Sequence, residues 1–523
     1  MKKNVAEIAW LAVAIGLLGL SSCSQSPAAP AAKETVEVLK PNEKRDTWDG
    51  AFVQGTRVGY SHTTAQDVGS GRVVLRTENV NHLAIRRGGE TSLLDVRIVT
   101  LERPNGELLK FEAEVSMGPT PIRTTGRVGG YRLEITTTGA AAAPVHTSIP
   151  WSADDRGPFA MEQSLLRKPM QPGERRTIKM FEVEVQQVAD VEMTAKDYEP
   201  TKLRTGSQSL LRIETVTKVA NNQKLELTAW TDRTGNILKS RLPMLGGLET
   251  YRVGKAEALE HADAAALDLL PSMMVKVEPP LVNAHRTKKV RYRLHLDGRD
   301  PASVFAAGAT QAVKSIDANT AEITVYAIRP GRSDGNRNAP PDPPTADDLR
   351  PNIWVQSDDP LIVADAKKAA GDEKDPWRVA VALERFVNRE VTKKDFSQTF
   401  ASATEVARSH EGDCTEHSVF LMALCRARGI PARAAFGLVY LPSRQAFFYH
   451  MWTEVYIEKR WIPIDATLAQ GGIGAGHLKI AQSNLTDATA SSAFLPVAQI
   501  LGRLSIKVVD AKWARPPSPA VRR

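Results

Sequence analysis

The sequence predicts a multidomain chain in which one or more N-terminal antiparallel β-rich domains precede an α+β segment. Three observations predict it. The chain has 523 residues, too many for a single hydrophobic core. Residues 46–275 carry one alternating apolar/polar segment after another, punctuated by turns such as Pro104-Asn105-Gly106 and Thr234-Gly235-Asn236, which is the period-two pattern of half-buried strands. The residues able to do chemistry gather instead in the last third, on one apolar helix and the strands that follow it.

The amino terminus reads as a leader. Lys2 and Lys3 precede an apolar run over 8–20 that ends in Leu20-Ser21-Ser22-Cys23, too short to span a bilayer comfortably. It resembles a bacterial lipoprotein signal, residues 1–23, with lipidation on Cys23 after cleavage. Residues 24–45 open with a Pro/Ala/Ser-rich stretch and read as a flexible tether. The expectation is a bacterial cell-envelope protein held to the membrane by its N-terminal lipid. Ser24 favours the outer membrane and periplasm.

Strands are predicted over 50–64, 72–85, 92–101, 108–117, 131–137, 176–193, 210–219 and 225–230, giving a large β-rich domain over 46–275. A small β module follows over 276–338. Ala339-Pro340-Pro341-Asp342-Pro343-Pro344 opens a Pro-rich linker, 339–350. The catalytic segment occupies 351–510, and 511–523, ending in Arg522-Arg523, is a basic tail.

Within the catalytic segment, the stretch from Val419 to Cys425 is almost unbroken apolar, and it closes with Arg426, Arg428, Gly429 and Pro431. Those are helix-stop signals, so a buried helix begins near Cys414. A thiol of reference pKa ~8.5 is only a few per cent thiolate at neutral pH. The positive end of a helix favours the thiolate, and its free N–H groups can donate to an oxyanion. A strand is expected over 432–440. Another is expected over 447–458, where His450, Trp452, Glu454 and Tyr456 share a face. Trp461 to Asp465 returns beside it. The pattern predicts Cys414 as nucleophile, His450 as base then acid, and Asp465 orienting the imidazole. A simple hairpin centred on Lys459 sets Asp465 opposite about Thr453, so a bulge or wider loop is expected to correct the register. Without one, Asp413, Glu416 or Glu454 becomes the third member.

The residues Gly412-Asp413-Cys414 with Glu416, the exit Ala427-Arg428-Gly429-Ile430-Pro431-Ala432-Arg433, His450 with Trp452 and Glu454, and Trp461 leading to Asp465-Ala466-Thr467 resemble the transglutaminase-like superfamily of papain-type cysteine enzymes. Ala466 stands where that family more often has proline. The resemblance implies a papain-like α+β fold and a triad of Cys414, His450 and Asp465. It does not choose among cross-linking, peptidase and amidase reactions. The oxyanion candidates are the Cys414 backbone N–H and the indole of Trp377, at the start of an upstream helix, where a buried-core tryptophan is the favoured reading.

Of the three cysteines, Cys23 carries lipid, Cys414 is the nucleophile and Cys425, three helical turns beyond Cys414, is core. Cys414 with His417 is too few ligands for zinc, and no acidic loop has calcium-site spacing. No cofactor or metal is expected. The formal net charge of +8 suits anionic surfaces, but no basic-aromatic motif points to nucleic acid. The function expected is a cysteine acyltransferase or amidase acting on a protein or peptide substrate, cell-wall peptide included. The alternative is a non-enzymatic lipoprotein scaffold that binds a partner.

Overall fold

The computed structural model describes residues 44–513, apart from 70–71, 88–89, 117–118, 140–142, 220–222, 244–246, 261–273, 332–334, 394–399, 487–494 and 501. The predicted leader with Cys23, and residues 514–523 of the predicted basic tail, lie outside the described residues. No described helix is long and apolar enough to cross a membrane. The chain divides into two compact units, whose described parts are residues 44–260 and 274–513.

The first unit is one sheet of fifteen strands, antiparallel except where Asp155–Arg156 pairs parallel with Arg175–Glu182, with a short helix, Ala160–Arg167, beside it. Successive strands pair in two meanders, and the first strand, Lys44–Val53, pairs with the last, Leu248–Val253. The two sheet edges are Val145–Pro150 and Asp155–Arg156, neighbours in sequence, so the sheet curls into a nearly closed barrel. Alternation aims Leu94, Val96 and Ile98 inward beside Asn79 and Asn81 on the paired strand. The amide of Asn79 is satisfied there, donating to Ser61 Oγ at 3.0 Å and Thr63 Oγ1 at 2.8 Å. Two predicted strands are each broken. Residues 50–64 turn at Gln54-Gly55, both at positive φ, and 176–193 is interrupted at the left-handed Gln186. The wall also buries carboxyls: burial, reinforced by neighbouring Glu184, pushes Glu182 up to about 8.

The second unit is α+β. Its nine-stranded sheet runs in the order Gln311–Asp317, Thr320–Tyr326, Thr287–Leu296, Leu504–Trp513, Val275–Glu278, Ala446–Ile457, Ala432–Leu441, His477–Ser483, with Arg460–Ile464 on Ala446–Ile457. Strands of the expected small module therefore share a sheet with those of the catalytic segment. Leu504–Trp513 also takes the first three residues of the expected tail into the sheet. Helices Pro360–Ala370, Pro376–Glu390, Ala403–Ser409 and Cys414–Ala427 cluster together. The last of these is buried from Cys414 to Arg426, as its apolar run requires. The stretch expected as a linker is tied down: Arg433 donates to Asp342 at 2.7 Å, and the Trp461 indole donates to the Asp342 carbonyl at 2.9 Å.

Candidate active site

Cys414 is the first residue of helix Cys414–Ala427. Asp413 precedes it as cap, its Oδ1 accepting from the Thr415 N–H at 2.8 Å, while Glu416 Oε2 accepts from the Asp413 N–H at 2.9 Å. That reciprocal box satisfies donors a helix start would otherwise leave unpaired. Glu416 also accepts from the Ala401 N–H at 3.0 Å, which ties the helix start to the preceding segment. Gly412 makes the entry geometry available. Its φ is +146°, and a Cβ there would fall 2.2 Å from Glu416 Cβ. At the far end Gly429, at φ +72°, lets the Ile430 N–H return to the Cys425 carbonyl at 3.0 Å.

The strand Ala446–Ile457 runs alongside. Thr453 to Ile457 pair with Arg460–Ile464, and Ala446 and Phe447 pair with Val275–Glu278. Between them, residues 448–452 have no strand on that edge among the described residues. There the Met451 N–H approaches the Cys414 sulfur, and Ser418 Oγ donates to the Met451 carbonyl at 2.9 Å. The Cys414 end of the helix is thereby held against the residue next to His450.

The expected bulge or wider loop is absent. Ile457 pairs with Arg460 across the two-residue turn Glu458-Lys459, whose φ values are 51° and 60°, the signature of a tight type I′ hairpin. Ile464 lies opposite Thr453. Asp465 therefore comes level with Trp452 and, by alternation, on the His450 face. It sits in the diagonal position, where backbones ~7–8 Å apart allow side chains to meet. His450 Nε2 lies 2.8 Å from Asp465 Oδ2. The alternatives for this place are engaged elsewhere: Asp413 and Glu416 cap the helix, and Glu454 pairs with Arg433 Nε at 2.9 Å and Lys479 Nζ at 2.9 Å.

Two further groups fix the carboxylate, and both were missed from sequence. His477, the first residue of its strand, places Nε2 3.1 Å from the same Asp465 Oδ2. Glu384, on helix Pro376–Glu390, accepts from the Asp465 N–H at 3.1 Å and the Gly471 N–H at 2.8 Å. Asp465 Oδ1 accepts from the Thr467 N–H at 2.9 Å and its hydroxyl at 2.6 Å. Trp452 stacks near His450, ring centroids 6.2 Å apart and planes at 19°, and edges onto His477. His450, Asp465 and His477 are each at most 2 % exposed. Only the position of Gly-rich 470–476 before His477 could have drawn attention to it, and Glu384 gave no signal beyond a polar residue on an amphipathic helix.

Burial pushes Asp465 up, but the imidazoles of His450 and His477 outweigh it and hold the carboxyl well below the usual range. A carboxylate only accepts, so His450 carries its proton on Nε2, leaving Nδ1 as the ring's basic atom. Nδ1 is buried with no hydrogen-bond partner. Cys414 departs from expectation: it is 0 % exposed, and burial, with Asp413, Glu416 and Asp465 adding to it, raises the thiol well above its ordinary pKa despite the Met451 N–H. A helix start contributes at most about 1 kcal/mol to a thiolate, less than removal from water costs. The resting group is a neutral thiol. Cys425 is also buried and free. Trp377 sits half-buried in the first turn of Pro376–Glu390, and no hydrogen bond or ring contact joins it to Cys414, His450 or Asp465 among the described residues.

Residues 364–466 match the transglutaminase-like superfamily, and the segment bearing Cys414, His450 and Asp465 is transglutaminase-like. No curated protein matches the chain. Among solved structures, a candidate cysteine protease from Cytophaga hutchinsonii is similar at 18 % identity and TM-score 0.28, covering 42 % of this chain and 83 % of that one. A β-barrel-like protein of a domain of unknown function from Brucella abortus is similar at 8 % identity and TM-score 0.32, covering 41 % and 97 %. The periplasmic domain of TgpA from Pseudomonas aeruginosa is similar at 15 % identity and TM-score 0.25, covering 36 % and 77 %.

Proposed function

We propose that this chain, whose residues 364–466 are transglutaminase-like, is an envelope-anchored cysteine acyltransferase or amidase acting on carboxamide or peptide bonds. The observation that carries the reading is the buried His450–Asp465 pair, 2.8 Å across, which fixes one tautomer beside a cysteine at a capped helix start. Resting Cys414 is neutral, so the reaction begins with proton transfer. His450 Nδ1 takes the thiol proton as the sulfur bonds to the carbonyl carbon, and Asp465 stabilises the imidazolium. The Cys414 backbone N–H at the helix start stabilises the oxyanion. His450 then returns the proton to the departing amine, leaving a thioester on Cys414. Water releases the acyl group as an acid, or a primary amine takes it as a new amide; in either case the attacking proton passes to His450 and from it to the departing Cys414 sulfur, restoring the thiol. Anchoring through Cys23 would place this chemistry on protein or peptide substrates at the membrane surface.

Trapping tests the reading. The protein is incubated with glutamine-containing or amide-bearing peptides, and the mass of the Cys414 peptide is followed. An acyl adduct absent in Cys414→Ala and suppressed in His450→Ala supports it, and no adduct across a broad peptide set overturns it. A second reading, a scaffold that binds a partner without reaction, is favoured by the complete enclosure of Cys414. It requires the thiol to remain inert to every acyl donor.

A further inference from the structure

Three buried ligand atoms converge within the site, which is one more pair than a cysteine acyl-transfer mechanism needs. His450 Nε2 and His477 Nε2 lie 2.8 and 3.1 Å from Asp465 Oδ2, and all three atoms fall within 4.8 Å of one another. In a four-coordinate divalent site with bonds of ~2.0–2.1 Å, ligand atoms stand about 3.3 Å apart. The two contacts to Asp465 open by a few tenths of an ångström, and the imidazole nitrogens, up to 4.8 Å apart, close by up to about 1.5 Å, to make one face of such a site. The donor set, two neutral imidazoles and one carboxylate, suits zinc and its neighbours rather than calcium or magnesium. Outer partners are already in place: the Thr467 N–H and hydroxyl hold Asp465 Oδ1, and Glu384 adds a second carboxyl behind the Asp465 backbone. A cation on His477 Nε2 moves the ring's proton to Nδ1, the side on which the Gly474 backbone can accept it.

We propose that His450, Asp465 and His477 form an inhibitory binding site for a zinc-type divalent cation. The inference rests on the acyl-transfer reading for its consequence, not for the binding itself. Each imidazole stays neutral when the cation takes Nε2, its proton relocating to Nδ1, so no net proton is released. Relocation on His450 removes the lone pair that would accept the Cys414 proton. The cation and the first step of acyl transfer are therefore mutually exclusive.

Cobalt(II) is the probe, titrated into the purified full chain carrying Cys414→Ala so that the sulfur nearest the site cannot contribute. The expected result is one cobalt per chain with the visible absorption of a four-coordinate nitrogen/oxygen site, displaced by zinc and weakened at least ~10-fold in a further His477→Gln variant. His285→Gln, whose ring lies 5.8 Å from that of His477, should bind as before. No cobalt uptake, or equal uptake with His477→Gln, overturns the site. Should His477→Gln fail to fold, 15N-histidine spectra of the unsubstituted chain decide: zinc must shift the Nε2 resonances of two histidines, and unshifted resonances reject the proposal. Adduct formation at Cys414 without added metal reports on the acyl-transfer reading separately. In a chain that forms the adduct, zinc should suppress it and a chelator restore it.

Discussion

His450 and Asp465 touch through 2.8 Å without being opposite each other in the hairpin, because Asp465 lies level with Trp452, one diagonal step along the same face. The contact depends on a carboxylate that can only accept. Asp465→Asn keeps the shape but lets an amide N–H face the ring, freeing His450 to hold its proton on Nδ1. Formation of the Cys414 adduct should fall by roughly 10²–10⁴-fold, with far-UV circular dichroism unchanged. Retention of more than a tenth of the rate would remove Asp465 from this role.

The same relationship depends on the parity of the turn. One glycine inserted between Glu458 and Lys459 should shift the pairing by one residue and send Asp465 to the opposite face. A folded but unreactive protein is the expected outcome, and unimpaired adduct formation would show that the register is restored elsewhere. Lys459→Gly, by contrast, relieves a left-handed φ of 60° and should stabilise the protein by about 1 kcal/mol, measured as a raised denaturation midpoint.

Glu454 neutralises two buried cations, Arg433 and Lys479, each within 2.9 Å. Although burial pushes it up, Lys479 and Arg433 hold its carboxyl below the ordinary value. Glu454→Ala leaves buried Lys479 uncompensated and Arg433 with Asp342 alone, and a loss of about 3–5 kcal/mol is expected in denaturant titration. A loss below about 1 kcal/mol would mean the cations find water or other partners.

The first unit should grow less stable as the solution becomes alkaline. Burial raises Glu182 in the folded state from its ordinary 4.5 to about 8. Its folded form therefore holds a proton that the unfolded chain has released. The associated stability is complete below about pH 4.5 and is lost progressively up to about pH 8. Glu182→Gln should flatten this decline, raising the melting temperature at pH 8 more than at pH 5. Equal shifts at both pH values would refute the assignment.

Much of the second unit is legible in the residues. The apolar run before Gly429 and Pro431 locates the helix ending at Ala427, and the alternation through His450 locates its strand. The sequence singles out Asp465 beside His450 but not the way it approaches: the two positive φ values of Glu458 and Lys459 carry no glycine or asparagine signal. His477 was invisible because its place follows from the pairing of His477–Ser483 with Ala432–Leu441, a relationship set by the sheet and not by spacing. The thiol's neutrality was equally hidden. A helix start is a local feature, whereas the burial that outweighs it sums contributions from distant segments. In the first unit, alternation marked most strands but passed over the breaks at Gln54-Gly55 and Gln186, where backbone handedness changes without a change in hydrophobic pattern.

The enclosure of Cys414 bears on how long the protein lasts. Peroxide and other two-electron oxidants attack the thiolate far faster than the thiol, and further oxidation ends in sulfinic and sulfonic acids that do not revert unaided. A sulfur that is protonated and 0 % exposed at rest meets these reagents only when the site is open. Oxidation of Cys414 should therefore track the fraction of time that its sulfur is open to solvent.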